Sequence, residues 1–89
     1  MDIKNLVDSF KSSPEDEMRN FILSFAREFN LDTGHVLPTK PLLPRTFNLN
    51  PKQKEALIPA IESLTKEGVF EEKEGQYFLT KAGRDVLYP

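Results

Sequence analysis

Cysteine and tryptophan are absent from this 89-residue chain, and histidine occurs once, at position 35. Without cysteine, the chain has no disulfide, iron–sulfur cluster, thiolate zinc site or cysteine nucleophile. A single histidine provides no histidine pair for a metal, and the four glycines match no phosphate-binding or dinucleotide-binding loop. These absences predict a non-enzymatic protein that uses no metal and no cofactor.

Long apolar runs are also missing, so the sequence contains no candidate membrane span and no signal-peptide core. The chain begins Met1-Asp2-Ile3-Lys4, with an acid where a secretory leader would be basic. We therefore expect a soluble, cytoplasmic protein without membrane contact. Hydrophobic residues make up 38% of the chain and charged residues 29%, as in globular proteins, and the length predicts one domain over residues 1–89.

The net charge of -2 is unevenly distributed along the chain. Residues 1–35 and 55–76 are acidic, whereas residues 36–54 contain no acid. The cations of this middle stretch are Lys40, Arg45, Lys52 and Lys54. Such asymmetry indicates either a face for a polyanion or an ordinary mixed surface, and composition alone leaves both open.

Two helices are predicted in the N-terminal part, residues 1–30. The first covers Asp2–Lys11, where apolar residues recur at helical spacing. The second begins at Pro14, with Ser13 as its N-cap and three acids in the first turn. Its predicted core residues are Met18, Phe21, Ile22, Phe25 and Phe29.

Residues 31–50 form a proline-rich segment, the strap, in which prolines at positions 38, 41 and 44 recur every third residue. Because proline disfavours helix at the residue before it, the sequence predicts extended chain or short turns here. A polyproline ligand for SH3-like domains is one interpretation. We favour a strap that packs onto the core through Val36, Leu37, Leu42, Leu43 and Phe47.

The remaining part, residues 51–88, contains a helix, a hairpin and a last helix. Asn50 and Gln53 predict a capping box for a helix that ends at Gly68, with Pro59 kinking or dividing it. Residues 69–73 and 76–80 predict a β-hairpin around Glu74-Gly75. Thr80 is the expected cap of the last helix, which directs Ala82, Val86 and Leu87 to the core.

Two runs in this part carry a family resemblance: Leu64-Thr-Lys-Glu-Gly68-Val-Phe70, and Tyr77-Phe-Leu-Thr80-Lys-Ala-Gly83-Arg-Asp-Val-Leu87. They resemble the C-terminal half of a winged helix-turn-helix domain, over about residues 50–87. The resemblance implies a small α+β domain of the order helix, helix, strap, helix, hairpin wing, helix. It differs from the family's pattern in three places. The position of helix 2 falls in the strap, the wing is acidic, and the outer face of the predicted recognition helix mixes Lys52 and Lys66 with Glu55 and Glu62.

Two functions follow. The resemblance implies a DNA-binding regulatory protein, and the candidate DNA contacts are Lys40, Arg45, Asn48, Lys52, Gln53 and Lys54. The alternative is a protein-interaction or assembly module on the same fold. Its candidate contacts are the acidic wing and the strap, namely Glu71, Glu72, Glu74, Leu42 and Leu43. The expected partner is DNA or a protein, and the long apolar faces also allow a homodimer.

Overall fold

The computed structural model describes residues 13–89, so the predicted helix at 2–11 lies outside the described part of the chain. Residues 13–89 contain four helices and a two-stranded antiparallel sheet, which confirms the α+β class. The elements are α1 (Pro14–Glu28), α2 (Thr39–Thr46), α3 (Pro51–Lys66), β1 (Phe70–Lys73), β2 (Gln76–Leu79) and α4 (Lys81–Leu87).

Helix α1 begins as the sequence predicts and supplies one side of the core. The Ser13 hydroxyl accepts a hydrogen bond from the Asp16 N–H at 3.1 Å. Three of the predicted core residues, Met18, Ile22 and Phe25, are buried, and Phe21 is half-buried. Phe29 is 40% exposed, so its assignment to the core is wrong.

Helix α2 is the main departure from the sequence prediction. Extended chain or short turns were expected throughout residues 31–50, and this is wrong for 39–46, which are helical. Pro41 lies in the first turn, where backbone N–H groups have no partner within the helix. Pro44 removes the hydrogen bond to the Lys40 carbonyl and its ring crowds that carbonyl, so the helix depends on contacts with other elements to offset this cost.

The remaining extended part of the strap lies beside β2. The Gly34 N–H donates to the Leu79 carbonyl at 2.8 Å, and the Leu37 N–H donates to the Tyr77 carbonyl at 2.7 Å. Leu37 is buried and Leu42 half-buried, so these two anchor the segment. The other three predicted anchors are wrong, because they stay exposed: Val36 (39%), Leu43 (59%) and Phe47 (75%).

Helix α3 carries the predicted capping box. The Gln53 N–H donates to Asn50 Oδ1 at 2.8 Å, and the Asn50 N–H donates to Gln53 Oε1 at 3.0 Å. The helix continues through Pro59, which therefore does not divide it. Pro59 is exposed, so water reaches the backbone carbonyl that its missing N–H leaves unbonded. Gly68, at φ 88°, ends the helix as predicted.

The hairpin also forms as predicted. Glu74 and Gly75 both have positive φ, which is the geometry of a two-residue type I′ turn. The register pairs Phe70 with Leu79 and Glu72 with Tyr77, so these four side chains share one face of the hairpin. Phe70 and Leu79 are buried, which shows that this face points to the core.

Helix α4 packs closely against the start of the hairpin. The Gly83 N–H donates to Thr80 Oγ1 at 2.9 Å, which confirms Thr80 as the cap. A Cβ added at Gly83 would overlap the Val69 carbonyl oxygen, so glycine at this position allows the close approach of the helix. Leu87 is buried, but Ala82 and Val86 are exposed, and their assignment to the core is wrong.

Candidate functional site

Three of the six candidate DNA contacts are exposed cations at helix starts. Lys40 lies in the first turn of α2, and Lys52 and Lys54 lie in the first turn of α3. Within residues 13–89, these three lysines form no ion pair. Helix N-termini also present backbone N–H groups, so these positions could meet an anion.

Arg45, in contrast, is engaged inside the domain. Its guanidinium makes two hydrogen bonds to the Glu28 carboxylate, one of them from Nη2 to Oε1 at 2.6 Å. This pairing lowers the pKa of Glu28 and raises that of Arg45. The guanidinium carbon also lies 5.3 Å from the Phe25 ring centroid and 5.4 Å from that of Phe29. Arg45 therefore joins α2 to α1.

Gln53 is engaged in the same way. Its Oε1 accepts from the Asn50 N–H, and its Nε2 donates to Glu17 Oε2 at 2.8 Å. Both polar groups of this side chain thus serve the fold. Asn48 is exposed in the turn between α2 and α3.

The outward face of α3 has a mixed and partly apolar composition. Its exposed residues at helical spacing are Lys52, Glu55, Ile58, Pro59, Glu62 and Lys66. Ile58, at the edge of this face, is 59% exposed. Sequence reasoning assigned Ile58 no role, although the helical period places it between Glu55 and Glu62 on the outer side.

An apolar groove of about 370 Å³ lies beside this face, between α2, α3 and the hairpin. Helix α3 contributes Leu57, Ile58 and Ile61, and α2 contributes Leu42. The other main lining residues are Val36, Leu37 and Tyr77. Because Ile58 and Val36 are also exposed, apolar surface continues from the groove onto the outside of the domain.

One end of the groove is acidic. Burial raises the pKa of the Tyr77 hydroxyl, and the nearby carboxylates of Glu72 and Glu62 raise it further. Glu72 pairs with Tyr77 across the hairpin, and Glu62 lies one turn after Ile58 on α3, so both carboxylates belong to this end of the groove. Lys54 precedes Leu57 and Ile58 by three and four positions, so it shares their side of α3 and lies toward the other end.

The five candidate protein contacts separate into two groups. Leu42 lines the groove and Glu72 stands at its acidic end. The other three are exposed outside it: Leu43 on α2, Glu71 on the opposite face of β1, and Glu74 in the turn. Sequence reasoning missed most of the groove, because its lining comes from four separate stretches of the chain.

His35 takes part in a turn. Its Nδ1 accepts a hydrogen bond from the Asp32 N–H at 3.0 Å, and Asp32 pairs with Arg84 at 2.6 Å. Across residues 13–89, no three histidine, aspartate or glutamate side chains are grouped so that they could hold a metal ion. None of the helices described here has the length and apolar composition needed to cross a membrane.

Comparison with protein-family models, with curated proteins and with solved structures found no match to this chain.

Proposed function

We propose that this chain is a non-enzymatic, winged-helix-like module that binds a protein partner through the outer face of α3 and the adjoining groove. The order of elements supports the winged-helix interpretation, because α2 directly precedes α3 and a hairpin and short helix follow. In this interpretation, α3 takes the place of the recognition helix and the hairpin takes the place of the wing.

The composition of the outer face of α3 is the observation that carries the proposal of a protein partner. A helix that reads a DNA sequence presents cationic and amide side chains to the major groove of the DNA. Here Glu55 and Glu62 lie at the centre of the face, between Pro59 on one side and Ile58 on the side of the groove. Carboxylates repel the phosphates of DNA, whereas the burial of an exposed isoleucine side chain beneath a protein surface is energetically favourable.

DNA binding is the second candidate, and the exposed Lys40, Lys52 and Lys54 favour it. Two other side chains of that candidate site, Arg45 and Gln53, are already bonded within the domain. A DNA contact through them would break bonds that join α1 to α2 and to α3. A protein partner requires no such loss.

Titration of labelled duplex DNA at about 50 mM salt tests the choice between the two candidates. We expect no binding that weakens with added salt, and no difference between the wild type and the variant Lys52→Glu/Lys54→Glu. The matched control is Lys73→Glu/Lys81→Glu, which changes the net charge equally but away from α2 and α3. Affinity that falls with salt and is lost only in Lys52→Glu/Lys54→Glu would establish the DNA function instead.

A further inference from the structure

We propose that the partner places an amphipathic helix in the groove, with apolar side chains on Leu57, Ile58 and Ile61 and a basic side chain between Glu62 and Glu72. The inference rests on the proposed function and adds the chemistry of the partner. Recognition of this kind, in which the apolar face of a helix enters a groove, uses anchors three and four residues apart.

The size of the groove sets how much of a partner it holds. A cavity of about 150 Å³ accommodates one benzene-sized group, so about 370 Å³ holds about two large apolar side chains. The exposed Ile58 and Val36 extend the apolar surface beyond the groove. A small ligand would leave this rim uncovered, whereas a helix that lies along α3 would cover it.

The charges around the groove specify the partner further. Glu72, opposite Tyr77 in the hairpin, and Glu62, one turn after Ile58, lie at one end, and Lys54 lies one turn before Ile58, toward the other end. Residues 54 and 62 are eight positions apart on α3, which is about 12 Å along the helix axis. A complementary helix therefore carries one basic and one acidic residue about eight positions apart, with two apolar residues between them.

Selection of a phage-displayed library of random 16-residue peptides on the 89-residue chain tests this inference. We expect enriched peptides with two apolar residues three or four positions apart and a lysine or arginine beside them. Their affinity should fall at least ten-fold in Ile58→Asp. The matched control is Val86→Asp, which places the same charge on another exposed aliphatic position, 45% exposed on α4. Circular dichroism establishes that both variants fold.

The requirement for a basic residue on the partner helix is tested with the variant Glu62→Lys/Glu72→Lys. Peptides selected on this variant should carry an acid where those selected on the wild type carry a base. The inference is overturned if no peptide is enriched, if binding survives Ile58→Asp, or if the basic residue persists on the charge-reversed protein.

The variant Ile58→Asp also distinguishes a partner helix from two other occupants of the groove, a second copy of this chain and the chain's own N-terminal segment. A dimer in sedimentation that Ile58→Asp dissociates would assign the groove to a second copy of this chain. Binding of a synthetic peptide of residues 1–12, lost in Ile58→Asp, would assign it to the chain's own N-terminal segment. Peptide binding on the outer face of α3 but outside the groove would overturn the inference and leave the proposed function, whereas salt-dependent DNA binding at α3 would overturn both.

Discussion

The four arginines of the chain all make contacts within the domain. Arg19 binds the Ser63 hydroxyl at 2.8 Å and pairs with Glu67, and Arg27 donates to the Leu87 carbonyl at 3.0 Å. Arg45 and Arg84 bind Glu28 and Asp32. A guanidinium suits this use because its planar array of donors meets a carboxylate with two bonds. The number of basic residues in the sequence is therefore larger than the number of cationic side chains that are available to bind a polyanion.

Replacement of Glu67 by glutamine should remove a pH-dependent part of the stability. The hydrogen bond from Arg19 lowers the pKa of Glu67 below its ordinary value of 4.5. As the pH falls below 4.5, Glu67 therefore takes up a proton more readily in the unfolded chain than in the folded chain. The stabilisation is complete above pH 4.5 and is lost as the pH falls through the folded-state pKa. We expect wild type to be more stable than Glu67→Gln at pH 7, and the difference to be smaller at about pH 3, below the ordinary pKa.

Urea denaturation at both pH values measures this difference. Glu55→Gln, at an exposed position on the outer face of α3, is the matched control, and its stability relative to wild type should change less with pH. An equal gap between wild type and Glu67→Gln at both pH values would refute the role assigned to the Arg19–Glu67 pair.

At the scale of elements, local chemistry made most of the fold predictable. Ser13, Asn50 and Thr80 each accept a backbone N–H at a helix start, as their side chains predict. The Glu74-Gly75 turn sets the hairpin register in the same way. These signals involve residues within about four positions of each other, so no knowledge of the tertiary structure was needed.

Helix α2 could not be predicted by such reasoning, because its stability comes from other elements. Its proline spacing favours extended chain, and its N-cap residue, Pro38, makes no side-chain capping hydrogen bond. Leu42 packs against the core and Arg45 binds Glu28 of α1. Tertiary contacts of this kind override weak local preferences.

The junction between α4 and the hairpin should be the least tolerant of added volume. A Cβ at Gly83 would overlap the Val69 carbonyl oxygen and approach Leu79 Cδ1 to 2.7 Å. Gly83→Ala is expected to destabilise the fold by about 3 kcal/mol, because the backbone oxygen cannot rotate away as a side chain would. Urea denaturation measures the loss. Ala82→Ser, at the exposed neighbouring position, should change stability by less than about 0.5 kcal/mol, and an equally mild Gly83→Ala would contradict the packing described.

At the scale of the whole molecule, the groove is a product of the fold. Val36 and Leu37, Leu42, the Leu57–Ile61 side of α3, and Tyr77 are distant in sequence and meet only after folding. The sequence predicted Val36, Leu37 and Leu42 as anchors of the strap, and Leu42 also as a candidate protein contact, but it did not predict that they meet Ile58 and Tyr77. Their convergence depends on α2, the element that the sequence failed to predict.

The measurement that tests the central claim most directly is chemical-shift mapping of the ¹⁵N-labelled 89-residue chain, first with a selected peptide and then with duplex DNA at about 50 mM salt. We predict that the peptide shifts the amide signals of Leu57, Ile58 and Tyr77, while DNA leaves α3 unchanged. Salt-dependent shifts with DNA at Lys40, Lys52 and Lys54, without a response of the groove to any selected peptide, would contradict the account.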